Sequence, residues 1–207
     1  MFRDRTEAGR ELGTELEERG LDVDVVLGIP RGALPVARPV ADALEADLDV
    51  VVASKIGAPG NPELAIGAVA SDGSVWRNES LIQQLGVPDE YVDEEAKSEA
   101  EYAREKAERY RDDGHVPDLE GRRIVVVDDG VATGATARAC LRQVHEADAG
   151  HVVLAVPVAP PDSLSELEAE ADEVVALETP RDFGAVGRHY SAFPQVSDEE
   201  AIEYLEE

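Results

Sequence analysis

The chain has 207 residues, with 46 aspartates and glutamates against 19 lysines and arginines, a formal net charge of −27. This length suits one α/β domain with a full hydrophobic core. The charge excludes nucleic acid and anionic membrane surfaces as primary partners, because both would be repelled. No apolar run approaches the roughly 18–20 residues of a membrane-spanning helix, and the only cysteine, Cys140, excludes an internal disulfide. We expect a cytoplasmic protein.

The acidic residues are spread along the whole chain between apolar blocks, which argues against a disordered tail. This pattern resembles the surfaces of proteins from extreme halophiles. Of the 19 basic residues 16 are arginine, and the only lysines are Lys55, Lys97 and Lys106. Lys97 and Lys106 lie in a charged helical stretch and are predicted to be solvated. Lys55 differs, because it follows an apolar strand and precedes a loop rich in glycine and proline.

In chain order, the apolar periodicity predicts alternating helices and strands. The expected elements are a helix at 4–19, strand 23–29, helix 35–44, strand 48–53, loop 54–64, strand 65–70, a turn at 71–74 before an extended piece near residue 76, helix 89–111, strand 123–128, helix 133–146, strand 152–158, helix 163–170, strand 174–177 and helix 198–205.

This order predicts an α/β, doubly wound, mostly parallel sheet with a small helical cap or hood. We expect a single domain, 1–207, in which 71–120 form the cap and 180–207 form a C-terminal hood or dimer segment. The alanine stripe of the long helix is interpreted as a cap or dimer element rather than core.

The strongest chemical signal is the segment Ile124 to Thr136, IVVVDDGVATGAT. Asp128 and Asp129 end a buried strand, and a loop of small residues then opens a helix. Ligands of open α/β sheets bind just beyond the carboxyl ends of the strands. The small residues let backbone N–H groups close around a phosphate, and the two acids suit the vicinal hydroxyls of a ribose.

The predicted ribose- and phosphate-binding set is Asp128, Asp129, Gly130, Val131, Ala132, Thr133, Gly134, Ala135 and Thr136. The segment lacks the lysine of a Walker loop and the dinucleotide-binding fingerprint. The alternative interpretation is an ordinary strand-to-helix turn with two N-capping aspartates. The two acids are also suited to contact Mg²⁺ through water.

On these residues the chain resembles the type I phosphoribosyltransferase family, whose motif is a hydrophobic strand, two acids and a Thr-Gly-x-Thr loop. The run 55–69, the N-terminal Phe2, Asp4 and Arg5, and the segment 183–190 look closest to a poorly characterised subgroup of predicted phosphoribosyltransferases. The resemblance implies Mg²⁺-dependent transfer of the phosphoribosyl group of phosphoribosyl pyrophosphate (PRPP) to a nitrogenous acceptor, with release of pyrophosphate. We also expect a homodimer.

Two other loops take roles through this resemblance. Pro30, Arg31 and Gly32 lie where the family has its pyrophosphate loop, and the peptide bond entering Arg31 is the candidate for the cis bond that many members have there. Lys55 lies where the family has its mobile catalytic loop. Arg31 is a permanently charged donor, and Lys55 suits a departing pyrophosphate that gains charge. Both are predicted catalytic residues; the alternative for each is a solvated side chain.

Ala132 departs from the members that act on 6-oxopurines, which have an aspartate at this position. Hypoxanthine and guanine are therefore disfavoured as acceptors, since a group other than residue 132 would have to assist proton transfer at the base. In the tail, Phe183 and Tyr190 are interpreted either as a hood over the acceptor or as anchors of the tail on the core. The alternative functions are a non-enzymatic regulator that binds PRPP or a nucleotide, and a phosphosugar hydrolase.

Overall fold

A computed structural model describes residues 1–111 and 117–206; residues 112–116 of the expected cap and the last residue of the hood lie outside it. The α-helices and strands in chain order are α1 (Arg5–Glu18), β1 (Val25–Gly28), α2 (Leu34–Leu44), β2 (Asp47–Val50), β3 (Ala53–Ala58), β4 (Asn61–Ala70), β5 (Val75–Arg77), α3 (Glu79–Leu85), α4 (Asp89–Arg109), β6 (Arg123–Val127), α5 (Ala135–Glu146), β7 (His151–Val158), α6 (Pro161–Leu167), β8 (Glu173–Glu178) and α7 (Asp198–Glu206), and a short 3-10 helix, Val186–His189, lies between β8 and α7.

The main sheet is fully parallel and has the strand order β2–β1–β6–β7–β8. Alternate residues of β6 enter opposite cores, as a strand buried on both faces requires. Val125 packs with Leu12 and Val36 on the side of α1 and α2, whereas Val126 packs with Leu141 on the side of α5. The predicted doubly wound α/β fold is confirmed.

The first helix lies unusually close to the second because α1 presents glycines to it. A Cβ atom at Gly9 would overlap the backbone carbonyl oxygen of Val36, and one at Gly13 would lie 2.9 Å from the Cβ atom of Ala43. Two helices approach this closely only where side chains are absent from the contact. The packing fixes the start of α1, where Arg5 lies, relative to the main sheet.

The segment 54–64, predicted as a loop, is instead a β-hairpin, and the strand predicted at 48–53 ends at Val50. β3 and β4 pair from Ala53↔Ala70 to Ala58↔Asn61, and β5 completes a separate three-stranded antiparallel sheet. The glycines that suggested a loop have specific uses: Gly60 has φ +74° in the turn, and Gly57 meets the backbone of Pro62 so closely that a Cβ atom would not fit. The part of the chain outside the main sheet thus begins before residue 71.

Helix α4 joins this second sheet to the main domain. Its first half packs on the hairpin through Val92, next to Ile56 and Ile66. Its last turns pack beside the edge strand β2, where Ala103 and Ala107 are buried. The alanine stripe is therefore part of the core, because small side chains let the helix lie close to the sheet edge. Within the described residues, no helix is long and apolar enough to cross a membrane.

Candidate active site

Two loops meet where the strand order of the main sheet reverses. β1 has β2 on one side and β6 on the other, so the loops that follow β1 and β6 leave the sheet side by side. Open α/β sheets form a crevice at such a switch point. Here it is a cleft of about 370 Å³, lined by residues that include Arg5, Pro30, Arg31, Gly32, Asp128 and Asp129.

The loop after β6 leads into α5 without a side-chain cap. Gly130 has φ +156° and Gly134 φ +76°, and a Cβ atom at Gly130 would lie 2.7 Å from Cγ1 of Val186. Gly134 is the N-cap residue and makes no side-chain capping bond, so the interpretation of the two aspartates as N-caps is wrong. Uncapped N–H groups at the start of a 12-residue helix are suited to bind a phosphate.

The remaining residues of this loop differ in exposure. Ala132 and Thr133 are exposed, Thr136 is half-buried, and Val131 and Ala135 are buried. The backbone N–H of Val131 donates to the carbonyl oxygen of Val158 at 3.0 Å, which ties the loop to the end of β7. The two threonine hydroxyls and the helix start therefore lie on an accessible surface.

The two acids have different partners. Nε of Arg5 donates to Oδ2 of Asp129 at 2.8 Å, with both side chains largely buried. Asp128 accepts from the backbone N–H of Asp129 at 2.8 Å, and no side chain of the described residues donates to it. Arg5 was not among the predicted site residues; its signal in the sequence was its part in the family resemblance.

Burial raises the pKa of Asp128 well above its usual range, and the neighbouring charge of Asp129 raises it further. Burial also raises the pKa of Asp129, although the hydrogen bond from Arg5 opposes this shift. Two adjacent carboxylates, of which only Asp129 pairs with a cation, disfavour each other's ionised form. The cleft therefore contains acceptors whose charge is only partly compensated.

In the loop after β1, the peptide bond between Pro30 and Arg31 is cis, as the resemblance predicted. The Arg31 side chain is about one-third exposed, and its Nε lies 3.8 Å from Oδ1 of Asp198. A Cβ atom at Gly32 would lie 2.4 Å from Oδ2 of Asp129, so a larger residue there would displace this carboxylate. The structure thus brings Arg31 and Gly32 to the same cleft as the acids.

Lys106 also reaches this loop, which corrects its predicted place in solvent. Its Nζ donates to the carbonyl oxygen of Pro30 at 3.0 Å. Burial lowers the pKa of Lys106, and the nearby charge of Arg31 lowers it further. The prediction failed because an exposed charged helix and one whose last turns cover a loop have the same sequence pattern.

Lys55 lies elsewhere, on the strand β3. Its Nζ pairs with Oε2 of Glu63 across the hairpin at 2.9 Å. It lines a second cavity, of about 490 Å³, together with Thr133 and Thr136 of the predicted phosphate-binding loop 130–136, called the phosphate loop below. Lys55 therefore faces the phosphate loop and does not share the cleft of Arg31; its catalytic role stays a prediction.

The aromatic tail packs against the N-terminus. Phe183 and Tyr190 are buried with Phe2 in one cluster, and the Tyr190 hydroxyl donates to the backbone carbonyl of Asp129 at 2.5 Å. This is the geometry of anchors; the hood role of these two rings stays a prediction. Phe193 is the ring of the tail that lines the cleft, with the Arg5 guanidinium 3.6 Å from its centroid.

Comparison with known proteins matches residues 63–191 to a family model described as a phosphoribosyl transferase domain. Two proteins from strains of Mycobacterium tuberculosis, each named a putative phosphoribosyl transferase, are 42% identical over 206 residues, covering 100% of this chain and 46% of each relative. The chain thus spans about half the length of these curated relatives.

Solved structures agree on the fold. The crystal structure of TT1426 from Thermus thermophilus is 45% identical, with a TM-score of 0.84 over 99% of this chain and 97% of that one. AQ2163 from Aquifex aeolicus is 15% identical, with a TM-score of 0.53 over 97% of this chain and 85% of that one, and shows the fold alone. Since the family model matches more than half of its residues, the chain belongs to the phosphoribosyl transferase domain family.

Proposed function

We propose that the chain transfers the 5-phosphoribosyl group of PRPP to a nitrogenous acceptor. The bond between ribose C1 and the pyrophosphate oxygen breaks, and its electron pair leaves with pyrophosphate. A bond forms between C1 and the acceptor nitrogen, which gives up a proton. The observation that carries this proposal is the meeting of the two-acid loop and the loop 30–32 in one cleft at the switch point of the sheet.

Asp128 is the residue best suited to the ribose, because no described side chain donates to its carboxylate. It accepts hydrogen bonds from the ribose hydroxyls. Oδ1 of Asp129, the carboxylate oxygen that does not accept from Arg5, adds a further acceptor. The N–H groups of the loop 130–136 bind the 5′-phosphate, except that of Val131, which is bonded to Val158. Arg31 binds the pyrophosphate as charge builds on it. Catalysis then comes mainly from positioning and charge stabilisation.

Magnesium fits this site as an ion brought by PRPP. The described residues contain no group of three or more histidine, cysteine, aspartate or glutamate side chains that would hold a metal. Mg²⁺ is commonly bound by one or two carboxylates together with substrate phosphate oxygens and waters. Asp128 and Asp129 would supply the protein's share, through water. The ion's contribution is to neutralise negative charge on the pyrophosphate.

A regulator that binds PRPP or a nucleotide without turnover is the second candidate. The observation that favours it is the phosphate loop, in which no side chain from 130 to 136 can accept a proton from the acceptor at neutral pH. An enzyme of this design needs an acceptor that loses its proton readily, or a base from another part of the chain. A 6-oxopurine is disfavoured for the same reason.

Incubation with PRPP, Mg²⁺ and pooled nucleobases in concentrated KCl tests the proposal, with released pyrophosphate as the signal. Release that depends on one base supports the transferase and identifies the acceptor. Release without any base indicates hydrolysis, and tight PRPP binding without release indicates the regulator. The double variant Asp128→Asn, Asp129→Asn is the control, and we expect it to bind no PRPP. Unchanged PRPP affinity in this variant, measured by calorimetry, would contradict the ribose assignment.

A further inference from the structure

Lys106 is the one lysine of the chain that the fold directs into the neighbourhood of the cleft. It lies in the last turn of α4, where Ala103 and Ala107 anchor the helix beside β2. Its ammonium group donates to the carbonyl oxygen of Pro30, a residue that lines the cleft. The other lysine of this helix, Lys97, is exposed.

The ammonium group of Lys106 has no counterion in the described part of the chain. No carboxylate there lies within 4.0 Å of its Nζ, although the protein has 46 acids against 19 bases. Half-burial lowers its pKa, and the charge of Arg31 lowers it further, while the charges of Asp198 and Asp128 act in the opposite direction. A cation without a counterion at such a position costs stability unless an anion binds.

The two cations converge on one loop. Arg31 belongs to it, and its contact with Asp198, at 3.8 Å, is longer than a hydrogen bond. Lys106 approaches the same loop from α4 and uses one of its three N–H donors on Pro30. Two cationic donors beside one loop are suited to bind a ligand with several negative charges.

We propose that Lys106 binds the diphosphate group of PRPP opposite Arg31, as the lysine that compensates charge at this end of the cleft. The inference rests on the proposed function and deepens it. It separates the roles of the two lysines: Lys106 lies beside the loop 30–32, whereas Lys55 lines the cavity with Thr133 and Thr136. Because Lys106 contacts substrate in this proposal, it acts directly and does not only position the loop.

The variants Lys106→Ala and Lys97→Ala remove the same charge from the same helix, and the second is the matched control. Calorimetry with inorganic pyrophosphate, PRPP and ribose 5-phosphate, each with Mg²⁺ and at one KCl concentration, measures the affinities. We expect Lys106→Ala to bind pyrophosphate and PRPP at least roughly tenfold more weakly, the size of a lost charge-assisted contact. Its affinity for ribose 5-phosphate should stay within about twofold, since that ligand lacks the diphosphate.

Lys106→Gln separates binding from loop support, because its amide keeps a donor for Pro30 but has no charge. We expect it to behave like Lys106→Ala, and Lys106→Arg to keep most of the affinity. Equal pyrophosphate affinity in Lys106→Ala and Lys97→Ala would overturn the inference alone. Unchanged pyrophosphate affinity in Lys106→Gln would also overturn it. The same holds if Lys106→Ala weakens the binding of ribose 5-phosphate as much as that of pyrophosphate. If the unaltered chain binds neither PRPP nor pyrophosphate, the proposed function falls and the inference falls with it.

Discussion

At the scale of single residues, the cleft combines groups that oppose stability. Asp128 and Asp129 are adjacent carboxylates with raised pKa values, mainly because they are buried. Only Asp129 has a cation at hydrogen-bonding distance among the described residues, through Arg5. Residues held in unfavourable ionisation environments are typical of ligand-binding sites, where the ligand supplies the missing partners.

Asp128→Asn should stabilise the ligand-free protein while it weakens PRPP binding. The folded-state pKa is raised, so the folded protein binds the proton more tightly than the unfolded chain. Stability is therefore highest below the ordinary aspartate pKa and falls as the pH rises to the folded value. At pH 7 we expect the variant to gain about 1 kcal/mol in unfolding free energy.

Denaturant titrations at pH 5 and pH 7 in the same KCl concentration measure this gain. The stability of the variant should decline less between low and neutral pH than that of the unaltered protein. A variant less stable at pH 7 would mean that the Asp128 carboxylate is well compensated in the free protein, contrary to its assignment as the acceptor left for ribose.

Arg5→Ala should destabilise the fold by about 3 kcal/mol, because it leaves the largely buried carboxylate of Asp129 without its cation. The guanidinium also donates to the carbonyl oxygen of Pro194 at 2.7 Å. Arg10→Ala, an exposed position of the same helix, is the control and should change stability by less than about 0.5 kcal/mol. Equal unfolding midpoints for the two variants would show that the Arg5 ion pair contributes nothing.

At the scale of elements, the hairpin β3–β4 carries Lys55 to the phosphate loop. The side chains of Lys55 and Glu63 form an ion pair across it, with exposures of 44% and 85%, so the pair is weak and can exchange for a ligand. The hairpin contacts the rest of the protein through its buried face and leaves this pair at the edge of the second cavity.

Lys55→Ala should lower turnover much more than PRPP affinity, because the predicted role of Lys55 is to stabilise charge that develops only as the bond breaks. Steady-state kinetics and calorimetry on Lys55→Ala and Lys97→Ala separate the two effects. A loss of affinity with turnover kept would make Lys55 a simple binding residue. If neither quantity changes, Lys55 is only a partner of Glu63 on the surface.

At the scale of the whole molecule, the excess of 27 negative charges should make the fold depend on salt. At about 0.1 M salt the screening length is roughly 10 Å, so neighbouring surface carboxylates repel; near 1 M it is roughly 3 Å. Thermal melts between 0.1 and 3 M KCl should show a rising melting temperature. A flat or falling melting temperature would contradict halophilic adaptation and favour a basic partner.

The homodimer stays a prediction that sedimentation in concentrated KCl checks.

The sequence by itself determined the doubly wound sheet and the strand, loop and helix around Asp128 and Asp129. These features are local: β-branched apolar runs form buried strands, and small residues after a strand form a tight turn into the next helix. The predicted loop at 54–64 was wrong because glycine and proline are as common in a tight hairpin as in a loop. Only the pairing of β3 with β4 distinguishes the two.

The tertiary structure alone decided which charges meet at the cleft. Arg5 and Asp129 are 124 positions apart, and Lys106 and Pro30 are 76 apart. A charged residue on a helix is predicted to be solvated unless the packing of that helix is known. Here the close approach of α1 to α2 and the alanine-lined contact of α4 with the sheet edge bring two cations to the loops. The chemistry of the site therefore depends on helix packing, which no local pattern in the sequence encodes.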